Sequence, residues 1–105
     1  MSQTLILRLT DTAESDLAEI WAYIATEADE AIATNFLERI AKTIDMVRQS
    51  PLMGTAREQL GSGLRVTFQH PYAIYYQVSD CELIIVRVFH GARDAIAIAE
   101  QGGFL

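Results

Sequence analysis

The sequence predicts an α+β fold in the order β-α-α-β-β-β, with a helical hairpin packed on one face of a small twisted antiparallel sheet. Three observations carry that expectation. Apolar residues in the first half recur at three- and four-residue steps, the second half holds three runs rich in Val, Ile, Tyr and Phe, and the 105 residues fit one hydrophobic core. A single domain over residues 1–105 follows, with 50% hydrophobic and 21% charged residues, close to the globular norm.

The first element is Gln3 to Leu9, short and apolar, with Leu5, Leu7 and Leu9 on one face and the turn-like Thr10 and Asp11 behind it. Asp11 and Glu14 have the spacing of a capping box, so a helix starts there. Ala13, Leu17, Ile20, Trp21, Ile24 and Ala28 form its apolar stripe, and Glu14, Asp16, Glu19 and Glu27 are expected on a solvated face. After a break near residues 28–30, Ala33, Phe36, Leu37, Ile40, Ile44 and Val47 define a second helix that stops before Ser50 and Pro51.

Residues 51–63 contain Pro51 and three glycines without a sustained period and are expected to be loop, with room for one helical turn. Leu64 to Gln69, Tyr72 to Val78 and Glu82 to Phe89 then form an antiparallel meander joined by short connections. Ala95 to Glu100 is long enough for a brief terminal helix. The sheet face away from the helical hairpin is expected to be open.

Composition narrows the function. The chain has 8 Lys+Arg against 14 Asp+Glu, a net charge of −6, which argues against sequence-blind binding to phosphate backbones. The acidity lies in residues 1–50, where 4 basic and 9 acidic residues give −5. Cys81 is the only cysteine, which excludes an intrachain disulfide and suits a reducing compartment, and no apolar run is long enough to cross a bilayer. The expectation is a cytoplasmic protein without a membrane contact.

His70, His90 and Cys81 do not stand at metal-ligand spacings, so no metal is expected. Gly61-Ser62-Gly63 leads into a strand rather than a helix, which removes a phosphate loop, and no cofactor is implied. Cys81 beside Asp80 and Glu82 has no activating charge. Chemistry concentrates instead in residues 86–94, where a strand ends in His90 between Arg87 and Arg93. Alternation places Arg87 and Phe89 on one side, with Arg87 pointing out, and Val86, Val88 and His90 on the other. His90 reads either as a hydrogen-bonded strand terminus or as an acid–base group, and Arg93-Asp94 as a local ion pair or part of a site. Five of nine aromatics, Phe68, Tyr72, Tyr75, Tyr76 and Phe89, fall between residues 68 and 89, forming either a thick core or a docking groove.

Several blocks occur together: Leu9-Thr10, Asp16-Leu17, Ile20-Trp21 and Tyr23-Ile24, then Ser50-Pro51-Leu52-Met53-Gly54 with Arg57, then Gly63-Leu64-Arg65, residues 71–76 and residues 87–94. In that order and spacing the sequence resembles the RelE/ParE toxin superfamily, most nearly its ParE branch. The resemblance implies a type II toxin held inactive by a cognate antitoxin whose C-terminal helix and strand wrap it, giving a toxin–antitoxin hetero-oligomer. It implies DNA gyrase as target, with no direct DNA binding by the toxin alone, whereas RelE-like relatives cut messenger RNA on the ribosome.

RNA cleavage needs a base, an acid and cations for the phosphate charge. Here there is one lysine, Lys42, within a helix, and Ala73 stands where nuclease relatives often carry arginine. A reduced nuclease site would draw on His90, Arg65, Arg87 and Arg93. For a non-enzymatic, gyrase-directed toxin the candidate contacts are Arg57, Arg65, Tyr75, Arg87, His90 and Arg93, with no catalytic residue. A degenerate, non-toxic antitoxin-binding partner is the third reading.

Overall fold

A computed structural model describes residues 4–91. The expected terminal helix, Arg93 and Asp94 lie outside the described residues. The elements are β1 (Ile6–Leu9), α1 (Asp11–Glu27), α2 (Glu30–Gln49), β2 (Thr55–Ala56), β3 (Arg65–Gln69), β4 (Tyr72–Val78) and β5 (Glu82–His90). They form two helices packed against a five-stranded open sheet of order β1-β5-β4-β3-β2.

The sheet is mixed rather than wholly antiparallel. Strands β2 to β5 alternate in direction, but β1 runs parallel to β5, with Ile6 opposite Glu82 and Leu9 opposite Ile85. The helical hairpin between β1 and the meander is a crossover long enough to allow a parallel pair. Strand β2 is a two-residue addition inside the stretch expected to be loop.

Helix α1 starts at Thr10, not through an Asp11–Glu14 capping box. The Thr10 hydroxyl accepts from the Ala13 N–H at 3.0 Å and donates to the Val86 carbonyl at 2.8 Å. One side chain thus caps a helix and satisfies a carbonyl on β5. Asp11 and Glu14 remain in the first turn, where negative charge favours the helix dipole. Asp29 caps α2 by accepting from the Ile32 N–H at 2.8 Å.

Between helices and sheet, Ala13, Ile20, Ile40, Ile44 and Val47 meet Tyr72, Ile74, Tyr76, Leu83, Ile85 and Val88. The far face is not open. Leu64, Val66, Ala73, Tyr75 and Val86 form a second buried cluster there, with Leu60, Ile84 and Phe89 packed against it. Residues on both parities of β4 are therefore buried, which the apolar content of Tyr72–Val78 allows. Tyr76 ties this strand to the segment after α2: its hydroxyl donates to the Pro51 carbonyl at 2.8 Å and accepts from the Gly54 N–H at 2.9 Å. A Cβ at Gly54 would collide with that hydroxyl and with the Val66 carbonyl, so the close approach requires glycine.

No helix among the described residues is long and apolar enough to cross a membrane. Among the same residues no group of three or more His, Cys, Asp and Glu gathers where a metal would sit.

Candidate functional site

The residue that organises the candidate site is one the sequence pattern assigned to solvent. Asp16 on α1 is buried at 8% exposure and faces β5. Its carboxylate accepts from Arg87 Nε at 2.8 Å, from Arg87 Nη2 at 3.1 Å and from the Val88 N–H at 3.0 Å. The signal was present in the spacing, because Asp16 lies three residues after Ala13 and four before Ile20, both core residues.

The partner needs this arrangement as much as the acid does. Strand β1 ends opposite Ile85, so beyond it the outer edge of β5 has no strand neighbour among the described residues, and Thr10 and Asp16 take the Val86 carbonyl and the Val88 N–H. A register shift at Tyr75/Tyr76 places Arg87 opposite Tyr75 and Ile85 opposite Tyr76. This bulge breaks the alternation, so Val86 joins the far cluster while Val88 faces the helices. Arg87 accordingly does not point out to solvent: the Asp16 carboxylate draws its guanidinium back, and its side chain keeps 17% exposure. Hydrogen bonding to Asp16 raises the Arg87 pKa above its ordinary value, against an opposing effect of burial and with added help from Asp16 and Glu19 charge.

Around that pair lies a cleft of about 240 Å³ lined by Asp16, Glu19, Ile20, Tyr23, Tyr72, Arg87, Val88, Phe89 and His90. His90 closes β5 opposite Tyr72, is exposed, and stands edge-on to the Tyr72 ring at 5.5 Å between centroids. Burial raises the Tyr72 hydroxyl pKa, and the nearby Tyr23 hydroxyl raises it further.

The other sequence candidates sit elsewhere. Tyr75 faces away from the helices, buried, its ring stacked 5.1 Å from that of Phe89, over which Arg87 also lies at 5.7 Å. Burial raises the Tyr75 pKa and the Arg57 charge lowers it, which brings Arg57 into the same neighbourhood. Arg57 itself donates to the Ala56 carbonyl at 3.1 Å. Arg65 braces the segment after α2, its Nη1 donating to the carbonyls of Gly54 at 2.6 Å and Leu52 at 3.3 Å. Arg65 pairs with Tyr76 and His90 with Tyr72, four residues apart along β4, or about 13 Å at the usual strand rise.

A second depression of about 260 Å³ lies on the opposite flank of α1, lined by Leu7, Leu9, Leu17, Leu37, Ile40, Ala41, Ile44 and Asp45. It borders β1, whose Ile6 is 61% and Leu7 36% exposed.

Residues 7–95 match the family model described as ParE toxin of type II toxin-antitoxin system, parDE. The chain belongs to the ParE toxin family. A relative in Caulobacter vibrioides, Toxin ParE1, is 30% identical over 90 residues, covering 86% of this chain and 93% of that protein. Solved structures share the ParE-family fold. A chain of the chromosomal ParDE system of P. aeruginosa superposes with a TM-score of 0.73 at 22% identity, covering 86% of this chain and 99% of that one. A chain of the RelBE2 toxin–antitoxin complex of Mycobacterium tuberculosis gives 0.54 at 22% identity, covering 84% and 99%. The family places the chain among type II toxins, in the ParE branch of the RelE/ParE superfamily.

Proposed function

We propose that this ParE-family toxin acts by binding rather than by bond chemistry, inhibiting DNA gyrase, and that a cognate antitoxin holds it inactive in a hetero-oligomer. The observation that carries the binding reading is the dispersal of the cationic groups among the described residues. Arg65 is engaged with two backbone carbonyls, Arg87 with Asp16, and His90 ends a strand well away from Arg65. A phosphate-cleaving centre needs such groups aimed at one point. Gyrase as the target rests on the family. Candidate target contacts are Arg57, Arg65, Tyr75, Arg87, His90 and Arg93.

Support for an antitoxin partner comes from the names of the structural neighbours, two toxin–antitoxin systems, and from the apolar groove beside β1. One edge of β1 is taken by β5, and among the described residues no strand pairs with the other, which leaves backbone groups for an added strand. An amphipathic antitoxin segment that is disordered alone and folds on contact would bury its apolar side there.

Induction of the toxin followed by separate assays of supercoiling and transcript integrity tests the target. Blocked supercoiling with intact transcripts is the expected result. Codon-boundary cleavage with normal supercoiling would replace this reading with the nuclease one, and growth without arrest in the presence of folded protein would leave only the antitoxin-binding role.

A further inference from the structure

The cleft between α1 and the ends of β4 and β5 is separate from the apolar groove and has a different chemistry. Its floor is electrically spent: Asp16 and Arg87 neutralise each other, and the Val88 N–H takes a further Asp16 lone pair. What remains among the described residues is the carboxylate of Glu19, exposed on α1 and near enough to raise the Arg87 pKa, in a cleft that Tyr23, Tyr72 and His90 also line. Tyr23 is 61% exposed, an aromatic surface with no core role. Among the described residues Glu19 forms no ion pair, and a carboxylate beside aromatic rings suits a cation, which gains from both the charge and the ring faces. An anion such as phosphate would meet Asp16 and Glu19 with only an already paired guanidinium to offset them.

Size and position narrow the occupant. About 240 Å³ is below the ~300 to 1,000 Å³ of ordinary small-molecule pockets and suits a single side chain. Arginine fits better than lysine, because a planar guanidinium can stack on a tyrosine while hydrogen-bonding a carboxylate. Helix α1 lines both depressions, with Leu17 toward the apolar groove and Glu19, Ile20 and Tyr23 toward the cleft. A helix with its side chains is only ~10 to 12 Å across, so a segment docked in the groove reaches the cleft in a few residues. The −5 charge of residues 1–50 favours a positively charged arrival on this side of the molecule.

We propose that the Glu19–Tyr23–Tyr72–His90 cleft is a socket for an arginine side chain of the antitoxin. The inference rests on the antitoxin reading above, and it adds a specific polar anchor to an otherwise apolar interface.

The free protein is titrated with acetyl-Ala-Arg-Ala-amide, its citrulline counterpart and inorganic phosphate, following backbone amide resonances of Val88 and His90 by NMR. Saturable shifts with the arginine peptide and none with the neutral citrulline peptide are expected. Glu19→Gln and Tyr23→Ala, both at exposed positions, should each weaken binding roughly fivefold. Absence of saturable shifts, equal shifts with citrulline, phosphate perturbing the same resonances in place of arginine, or unchanged affinity in Glu19→Gln would each overturn the socket.

The same titration on the toxin–antitoxin complex identifies the occupant: the arginine peptide should no longer bind, and continued binding would remove the antitoxin side chain from the cleft. Failure to form any complex with the antitoxin encoded beside the gene would sink the partner reading, while the peptide titration of the free protein still decides what the cleft binds.

Discussion

At the scale of single residues, the Asp16–Arg87 pair matters most because each group is buried only on condition that the other is present. Removing one partner of a buried ion pair leaves an uncompensated charge, a loss of ~3 to 5 kcal/mol in fully buried cases. With Arg87 partly exposed, Arg87→Ala and Asp16→Ala are each expected to cost about 3 kcal/mol in urea unfolding. The double variant should cost clearly less than the sum, the mark of a coupled pair. The pair also shows what sequence reading missed. Periodicity put residues 13 and 20 on the buried face of α1 but assigned Asp16 to the solvated one, because a carboxylate reads as solvent-facing unless its cation, far along the chain, is known.

Three tyrosines make a second statement at this scale. Burial raises the pKa of Tyr72, Tyr75 and Tyr76 above the ordinary 10.0. The folded state therefore holds their protons where the unfolded chain releases them. Their contribution is complete below about pH 10 and is lost as pH rises through their folded values. Chemical denaturation between pH 8 and 11.5 should show a plateau followed by a fall that begins near pH 10. Tyr72→Phe, which removes one of the three ionisations, should make that fall shallower.

At the scale of elements, the junction of β1 and α1 is the point where sheet and helices are locked together. Thr10 donates its N–H to the Ile85 carbonyl, its hydroxyl to Val86, and accepts from Ala13. Thr10→Ala removes a cap worth ~0.5 to 2 kcal/mol and leaves the Val86 carbonyl without its donor. A loss of about 2 kcal/mol in thermal or urea unfolding, with unchanged far-ultraviolet dichroism in the folded state, is expected. Both helices and the three long strands were legible in sequence, because their apolar periods extend over several turns or pleats. The exact cap, the two-residue β2 and the bulge opposite Tyr75/Tyr76 were not, since each depends on a neighbour brought in by the tertiary fold. The bulge is also why simple alternation wrongly put Val86 on the same side as Val88: one extra residue in β5 reverses the facing of everything after it.

For the molecule as a whole, element order and layer arrangement followed from the sequence, whereas the parallel β1–β5 pair and the second apolar cluster did not. Strand direction is set by where the crossover returns, which local pattern does not encode. The far cluster assembles residues from β3, β4, β5 and the segment before β3, so no single stretch announces it. Of the candidate contacts, His90 and Arg87 share the cleft, Arg57 lies near Tyr75, and Arg65 supports the backbone after α2. The groove beside β1 offers a test at this scale. Leu7→Asp, at a partly exposed position, should lower antitoxin affinity more than tenfold by placing a charge in an apolar contact, with little change in unfolding midpoint. Raising salt from 50 to 300 mM should have a much smaller effect than that substitution, because apolar burial is not screened.

The ion pair that joins α1 to β5 spans 71 positions of the chain. During synthesis at ~5 to 20 residues per second, Asp16 waits roughly 4 to 14 s for its cation to be made. Until then the nascent helical hairpin carries an unmatched acid where its core should close. A ParE-family chain interrupted before β5 is therefore expected to stay unfolded. The capacity to close the core arrives only once β5 has been made.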